Sequence, residues 1–197
     1  MKKSLCAILM LGCVVLMGAD IALPAPQKSG GMALTDALNT RRSVRRYTKK
    51  AVTLQELSNI LWSANGITRP DGKRTAPSAR NKQEILLYVT MAEGTYFFDP
   101  ARNMLKQISK EDLREYSGAF DAPCYIILVG DTQKQNLEFC IAIDAGYVSQ
   151  NIYLSATAQK LGTCAMRMIV DRKVLQEKMA LGKNLLVLVH PIGTPAK

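Results

Sequence analysis

The chain of 197 residues contains a single histidine, His190, and a single tryptophan, Trp62. His190 sits in an apolar run just before Pro191. That setting suits a core or interface residue better than the general base of a Ser-His-Asp triad. No His-Glu-x-x-His run occurs, and no paired-carboxylate pattern, so zinc peptidase and two-carboxylate glycosidase chemistry are disfavoured. Cysteine is scarce where it would count. Cys6 and Cys13 fall in the apolar N-terminus, and Cys124, Cys140 and Cys164 show no Cys-x-x-Cys spacing. This is neither a disulfide framework nor a zinc site. The three read as small buried hydrophobes, with one bridge open to them in an oxidising compartment. Aromatic residues make up 6% of the chain, with no basic ladder interleaved with aromatics, which argues against nucleic acid as a partner. No Gly-x-Gly-x-x-Gly follows a strand, which disfavours a Rossmann domain.

What is present suits one ordinary globular domain: 48% hydrophobic residues and 21% charged ones. The net charge is +10, and most basic residues are scattered. The exception is the group Arg41, Arg42, Arg45, Arg46, Lys49 and Lys50. The N-terminus has the layout of a secretory signal over residues 1–19. Lys2 and Lys3 precede an apolar run from Leu5 to Met17, and Gly18-Ala19 offers small residues for cleavage. Removing it lowers the charge from +10 to +8. The run is shorter than the ~20 residues of a membrane span. An uncleaved anchor is the competing reading, and Cys13 after Gly12 raises lipidation. The expected location is therefore exported, periplasmic or membrane-attached, with no stable membrane span beyond the N-terminal segment.

Residues 20–31 hold two prolines, Pro24 and Pro26, and Gly30-Gly31, and read as a flexible linker to a domain spanning 32–197. A short helix is expected over Thr35–Asn39, capped by Thr35. A second starts at Thr53 with Glu56 completing a capping box, and ends at Asn65-Gly66. Ile85–Met91 and Gly94–Asp99 predict a hairpin turning at Ala92-Glu93-Gly94. Leu105–Tyr116 is expected to be helical, and Cys124–Val129 a strand. Phe139–Leu161 predicts the longest helix, apolar on most sides and so buried in the core or at a subunit interface, with Gly162 closing it. Asp171 caps a further helix through Met179, and Asn184–His190 is the last strand. This order is not a regular βαβ alternation, and an α+β sandwich fits it.

Three segments could carry chemistry. Arg41-Arg42-Ser43-Val44-Arg45 places three guanidinium groups and a hydroxyl within five residues. Guanidinium forks match phosphate oxygens, though a solvated basic turn has the same composition. Arg74–Gln83 combines small residues with Ser78, Asn81 and Gln83, suited to the polar edge of a planar heterocycle or to an ordinary surface loop. Asp144–Asn151 puts polar groups on an apolar helix, where they need partners, either neighbouring backbone or a ligand.

In this order the segments resemble the nitroreductase family. Arg41–Arg45 matches its Arg-Arg-Ser-x-Arg motif, and Pro77-Ser78-Ala79-Arg80-Asn81-Lys82-Gln83 its Pro-Ser-x-x-Asn-x-Gln loop. Asp144-Ala145-Gly146 with Gln150-Asn151 matches the Asp-x-Gly…Gln-Asn helix, followed by Leu161-Gly162-Thr163-Cys164. The ending Pro191–Pro195 resembles the terminal Val-Gly-Tyr-Pro, and Leu61–Pro70 a branch with a short C-terminus. The resemblance spans about residues 33–197.

It implies an antiparallel-rich sheet flanked by helices in an entwined homodimer with two FMN molecules at the interface. Arg41, Arg42, Ser43 and Arg45 would hold the ribityl phosphate. Pro77, Ser78, Ala79 and Asn81 would line the isoalloxazine and ribityl chain, with Asp144 nearby. Arg167 and Met168 stand where the family often has Gly-Gly or Glu-Gly against the ring, and Lys197 could supply a terminal cation for the phosphate. The flavin carries the chemistry, so no catalytic side chain is expected. NADH or NADPH would reduce it, and a small-molecule acceptor such as a nitroaromatic or quinone would reoxidise it. Azoline oxidation, dehalogenation, flavin breakdown and non-enzymatic flavin binding are competing roles. Export and a nicotinamide donor pull against each other, unless the donor differs or the anchor faces inward.

Overall fold

The computed structural model describes residues 19–196. The expected signal up to Gly18, with Cys13, and Lys197 lie outside them. In chain order the elements are β1 (Ile21–Ala22), α1 (Leu34–Thr40), α2 (Leu54–Asn65), β2 (Ile85–Met91), β3 (Gly94–Asp99), β4 (Met104–Ser109), α3 (Arg114–Ser117), β5 (Cys124–Gly130), α4 (Glu138–Ala158), β6 (Gly162–Thr163), α5 (Arg172–Lys178) and β7 (Leu185–Gly193). The strands form one seven-stranded antiparallel sheet in the order β1-β4-β3-β2-β5-β7-β6. Helices flank it, giving the α+β sandwich expected.

The core is built around β5, all of whose residues are buried. Strand alternation sends successive side chains to opposite faces. Ile126 and Leu128 meet Leu57, Ile60 and Leu61 of α2 and Ile141, Val148 and Ile152 of α4. Tyr125, Ile127 and Val129 meet Leu175 and Met179 at α5, with Leu113 and Leu186. A strand covered on both faces reads as an unbroken apolar run, which is why Cys124–Val129 stands out along the chain. Each such aliphatic side chain contributes about 1.5–3 kcal/mol by burial.

Several expected elements hold. Thr53 caps α2, with Glu56 reciprocating in a full capping box. The β2–β3 hairpin pairs Met91 with Gly94 around Ala92 and Glu93. Asp171 accepts the Val174 N–H at the start of α5.

Others differ. Helix α1 starts one residue earlier, with Ala33 rather than Thr35 at its cap. The stretch expected to be helical from Leu105 is β4 up to Ser109, and only Arg114–Ser117 is helical. Pairing along β3 and the full burial of Leu105 outweigh the modest helix propensity of this segment. The chain leaves α4 at Ala158 and reverses at Lys160, which adopts φ 59°. Gly162 belongs to β6 instead, where a Cβ would lie 2.6 Å from that of Val44.

The stretch expected as a linker is tied down. Ile21 and Ala22 pair with Leu105 and Met104. Asn103 Nδ2 donates to the carbonyls of Leu23 and Pro24, Ser58 Oγ donates to that of Pro24, and Asn59 accepts the Gln27 N–H at 2.9 Å. Prolines here shape an extended strap across α2.

Candidate flavin site

Helix α4 is the spine of the candidate site, because two motif segments are fastened to it. Its buried face includes Ile141, Asp144, Ala145, Val148, Ser149, Ile152, Tyr153 and Ala156. At 100° per residue, Asp144 and Tyr153 lie at opposite margins of that face and about 13 Å apart along the axis. Between those margins runs an exposed stripe of Phe139, Ile143 and Tyr147, with Phe139 76% exposed.

Tyr153 holds the arginine segment. Its hydroxyl shares a 2.9 Å hydrogen bond with Ser43 Oγ and accepts the Ala165 N–H at 2.8 Å. The Arg41 guanidinium lies over its ring, 5.0 Å from the centroid. Val44 N–H donates to the Thr163 carbonyl at 2.9 Å, and Ser43 bridges Thr163 in parallel fashion, so the segment extends the sheet beyond β6. Arg42, Ser43 and Arg45 are exposed and Arg41 is half-buried. Among the described residues, no ion pair engages Arg41, Arg42 or Arg45. Arg42 Nε donates to the Thr40 carbonyl at 3.4 Å, and the three cations, without a carboxylate, leave most of their donors for an outside anion.

Behind this segment lies His190, fully buried. Its Nε2 meets Ser149 Oγ at 2.9 Å, its Nδ1 meets Thr163 Oγ1 at 3.0 Å, and its ring edge packs on Tyr153. Burial lowers its pKa from 6.5 to about 3, so the ring is neutral. The core-histidine reading therefore stands.

The second segment is held at the other margin. Asp144 Oδ2 accepts the Ala79 N–H at 2.7 Å. Ser78 Oγ accepts the Gln83 N–H, and Gln83 Nε2 donates to Asn81 Oδ1. Arg74 clamps the loop from below, donating to Gln83 Oε1 at 3.0 Å and to the Asn65 carbonyl at 3.1 Å. Arg80, Asn81 and Gln83 adopt positive φ of 55°, 53° and 51°. Each such non-glycine conformation costs on the order of 1 kcal/mol, and these contacts hold it in place. Pro77 and Asn81 face outward, with Ser78 and Ala79 half-buried.

Glu84 follows directly and is fully buried, and neither carboxylate oxygen has a hydrogen-bond partner. Burial, then the neighbouring Asp144, raise its pKa above the ordinary carboxylate value. Lys82 is the nearby cation that opposes this.

Arg167 and Met168 are exposed, Met168 by 84%. Met166 bridges Val189, and Arg172 donates to the Arg167 carbonyl at 3.2 Å, so their loop is pinned on both sides.

One chain thus brings together Arg41, Arg42, Ser43 and Arg45, and separately Pro77, Ser78, Ala79, Asn81 and Asp144. It does not bring the two groups together. Cavities of about 520 Å³ and 470 Å³ lie elsewhere, around Lys49, Arg114 and Pro123, and include none of these residues. A half-site open to solvent on one chain is not an enclosed space.

Sequence reading missed Tyr153, Glu84 and the support given by His190. Tyr153 lies two residues beyond Gln150-Asn151, and Glu84 one residue past Gln83. Their adjacency to the motifs was the available signal.

The nitroreductase family profile matches residues 38–194. The chain belongs to the nitroreductase family. A nitroreductase-family protein of Methanocaldococcus jannaschii is 30% identical over 195 residues, covering 88% of this chain and 96% of the relative. A family structure from Ralstonia eutropha, 32% identical, superposes with a TM-score of 0.84 over 90% of each chain. A Desulfovibrio desulfuricans relative solved in complex with FMN, 23% identical, has a TM-score of 0.63, covering 85% of this chain and 89% of its own. The fold is that of the family.

Proposed function

We propose that the protein is an FMN-dependent oxidoreductase, reduced by NADH or NADPH and reoxidised by a nitroaromatic, quinone or similar small acceptor. The observation that carries this reading is the ordered segment at Arg41, Ser43 and Arg45, whose cations meet no carboxylate among the described residues. That donor set fits a dianionic phosphate on chemical grounds. The Desulfovibrio relative, which binds FMN on the same fold, supports the choice of anion.

Bound there, FMN would supply hydride-accepting and hydride-donating chemistry. The chain's own groups would bind and orient. Arg41, Arg42, Ser43 and Arg45 would grip the phosphate, with Lys197 as a further cation. The Pro77–Asn81 loop would line the ring and ribityl chain, its backbone fixed by Asp144. Arg167 and Met168 would stand beside the ring and bear on which donor and acceptor fit.

The same reading calls for a homodimer. The exposed stripe of Phe139, Ile143 and Tyr147, with Leu34 and Leu38 of α1 beside it, is an apolar surface that monomers rarely leave uncovered. It runs between the two margins of α4, so a second copy packed on it would carry its own loop toward this chain's arginines. Export directed by residues 1–19 remains part of the proposal, and cell fractionation tests it.

The deciding experiment is anaerobic titration of the purified protein with NADH and with NADPH. Yellow protein that loses its flavin absorbance with either reductant supports the reading. Protein that holds flavin but ignores both would favour another redox task or a carrier role. Colourless protein that takes up no FMN would falsify the cofactor assignment itself.

A further inference from the structure

We infer that Tyr153 is a positioning residue that makes this site select a phosphorylated flavin over an unphosphorylated one. The inference rests on the FMN reading and goes beyond it to a residue outside the binding motifs.

Tyr153 touches the phosphate segment in two distinct ways. Its hydroxyl lies 2.9 Å from Ser43 Oγ, and its ring lies under the Arg41 guanidinium. A guanidinium held by its face keeps its N–H edges free for oxygen ligands. The hydroxyl already accepts the Ala165 N–H. Its own proton is therefore free to go to Ser43 Oγ. That leaves the serine proton pointing outward, toward an anion, and polarises it as a donor. One side chain thereby aims two phosphate donors at once.

Tyr153 is itself held in place. Its residue is 9% exposed, and the His190 ring packs against it at 5.5 Å with a near-perpendicular interplanar angle of 80°. His190 is fixed by Ser149 and Thr163, and the Thr163 carbonyl receives the Val44 N–H. The aim of Ser43 is thus tied to both α4 and the sheet. None of these contacts reaches the Pro77–Asn81 loop proposed to line the ring, and the Ala165 N–H is the one link toward the Arg167-Met168 flank, so the influence of Tyr153 falls mainly on the phosphate.

The test compares FMN and riboflavin binding by the flavin-free full chain, followed by flavin fluorescence. Variants are Tyr153→Phe, Ser43→Ala and the double substitution. Tyr153→Phe should weaken FMN about tenfold, the size of one hydrogen bond to a charged group, and shift riboflavin by less than about twofold. The double variant should lose no more FMN affinity than Ser43→Ala alone, because the hydroxyl acts through that serine. Tyr153→Leu, which also removes the ring beneath Arg41, should weaken FMN by a further threefold or so. If that variant does not fold, the phenylalanine arm still decides. Equal weakening of both flavins would mark Tyr153 as merely structural and overturn the inference, as would additive losses in the double variant. FMN binding unchanged in Tyr153→Phe overturns it too, while leaving the FMN reading intact. Wild-type protein that binds neither flavin overturns both.

Discussion

Residues 41–47 and residues 74–83 are both irregular, both rich in arginine and small polar groups, and both fastened to α4. They are held by different means. The first is an extension of the sheet, bridged to Thr163 and pinned by Tyr153, and its side chains project from a backbone of ordinary geometry. The second closes on itself through Ser78, Asn81 and Gln83, with three residues at positive φ and one buried carboxylate, Asp144, as its anchor. Their supports also differ in charge logic. A neutral buried histidine stands behind the first, and behind the second a buried glutamate whose pKa burial and the neighbouring Asp144 push up. A fixed cationic row suits a ligand's phosphate. A strained loop with adaptable polar groups suits the edge of a heterocycle.

The largest effect should come from stripping the charge from the first region. Arg41→Ala with Arg45→Ala removes charge-assisted bonds of about 1.5–3 kcal/mol each, so FMN affinity should fall about 100-fold or more. Riboflavin affinity should barely change. Unchanged FMN titration curves would move the phosphate elsewhere.

Pushing the first region off the sheet should cost less. Gly162→Ala sets a Cβ against Val44 at 2.6 Å, where both backbones are fixed. A stability loss of about 1–3 kcal/mol in urea unfolding is expected, together with weaker FMN binding. If stability falls and FMN binding does not, the bridge to Thr163 is no part of the phosphate clamp.

The buried titrating groups predict opposite pH responses. His190 has a depressed pKa, so its contribution is present above about 6.5 and is lost as pH falls toward about 3. Glu84 has a raised pKa, so its contribution is complete below 4.5 and is lost as pH rises through the folded value. Glu84→Gln should flatten the decline above pH 4.5 and leave the His190-linked loss on the acid side unchanged. Equal slopes above pH 4.5 in wild type and variant would separate Glu84 from the loop's stability.

The smallest effect on cofactor is expected at Arg167. Its side chain is exposed, so Arg167→Gly should change FMN affinity by no more than about threefold. The ratio of NADH to NADPH turnover should move further. A large loss of flavin would instead make Arg167 an anchor.

Much of the fold, and the outline of the site, is legible in the amino-acid sequence. Local signals are strong where a residue's own chemistry sets its neighbours' geometry. The Thr53–Glu56 capping box, the hairpin at Ala92-Glu93 and the clustered guanidiniums are of that kind. Residues 104–109 are not legible as a strand, because their pairing depends on β3 and on β1, a partner more than 80 residues away in sequence. The strap at 20–28 is hidden for the same reason, since its prolines look identical in a linker and in a docked segment. Tyr153 reads as one more apolar helix position. Its role depends on Ser43, 110 residues away. Sequence also cannot show that Asp144 and the arginines face apart on one chain.

The two ends of the sheet carry one more consequence. Both edge strands, β1 and β6, are only two residues long. Past β1, the next amide on β4, Gln107 N–H, is already taken by the Asp20 carboxylate. At the other end, the arginine segment covers β6. A sheet with such blunted margins offers little template for another strand to add on. The protein is thereby guarded against fibrous, edge-to-edge growth, and the apolar helical stripe leaves the proposed dimer contact to the helical side.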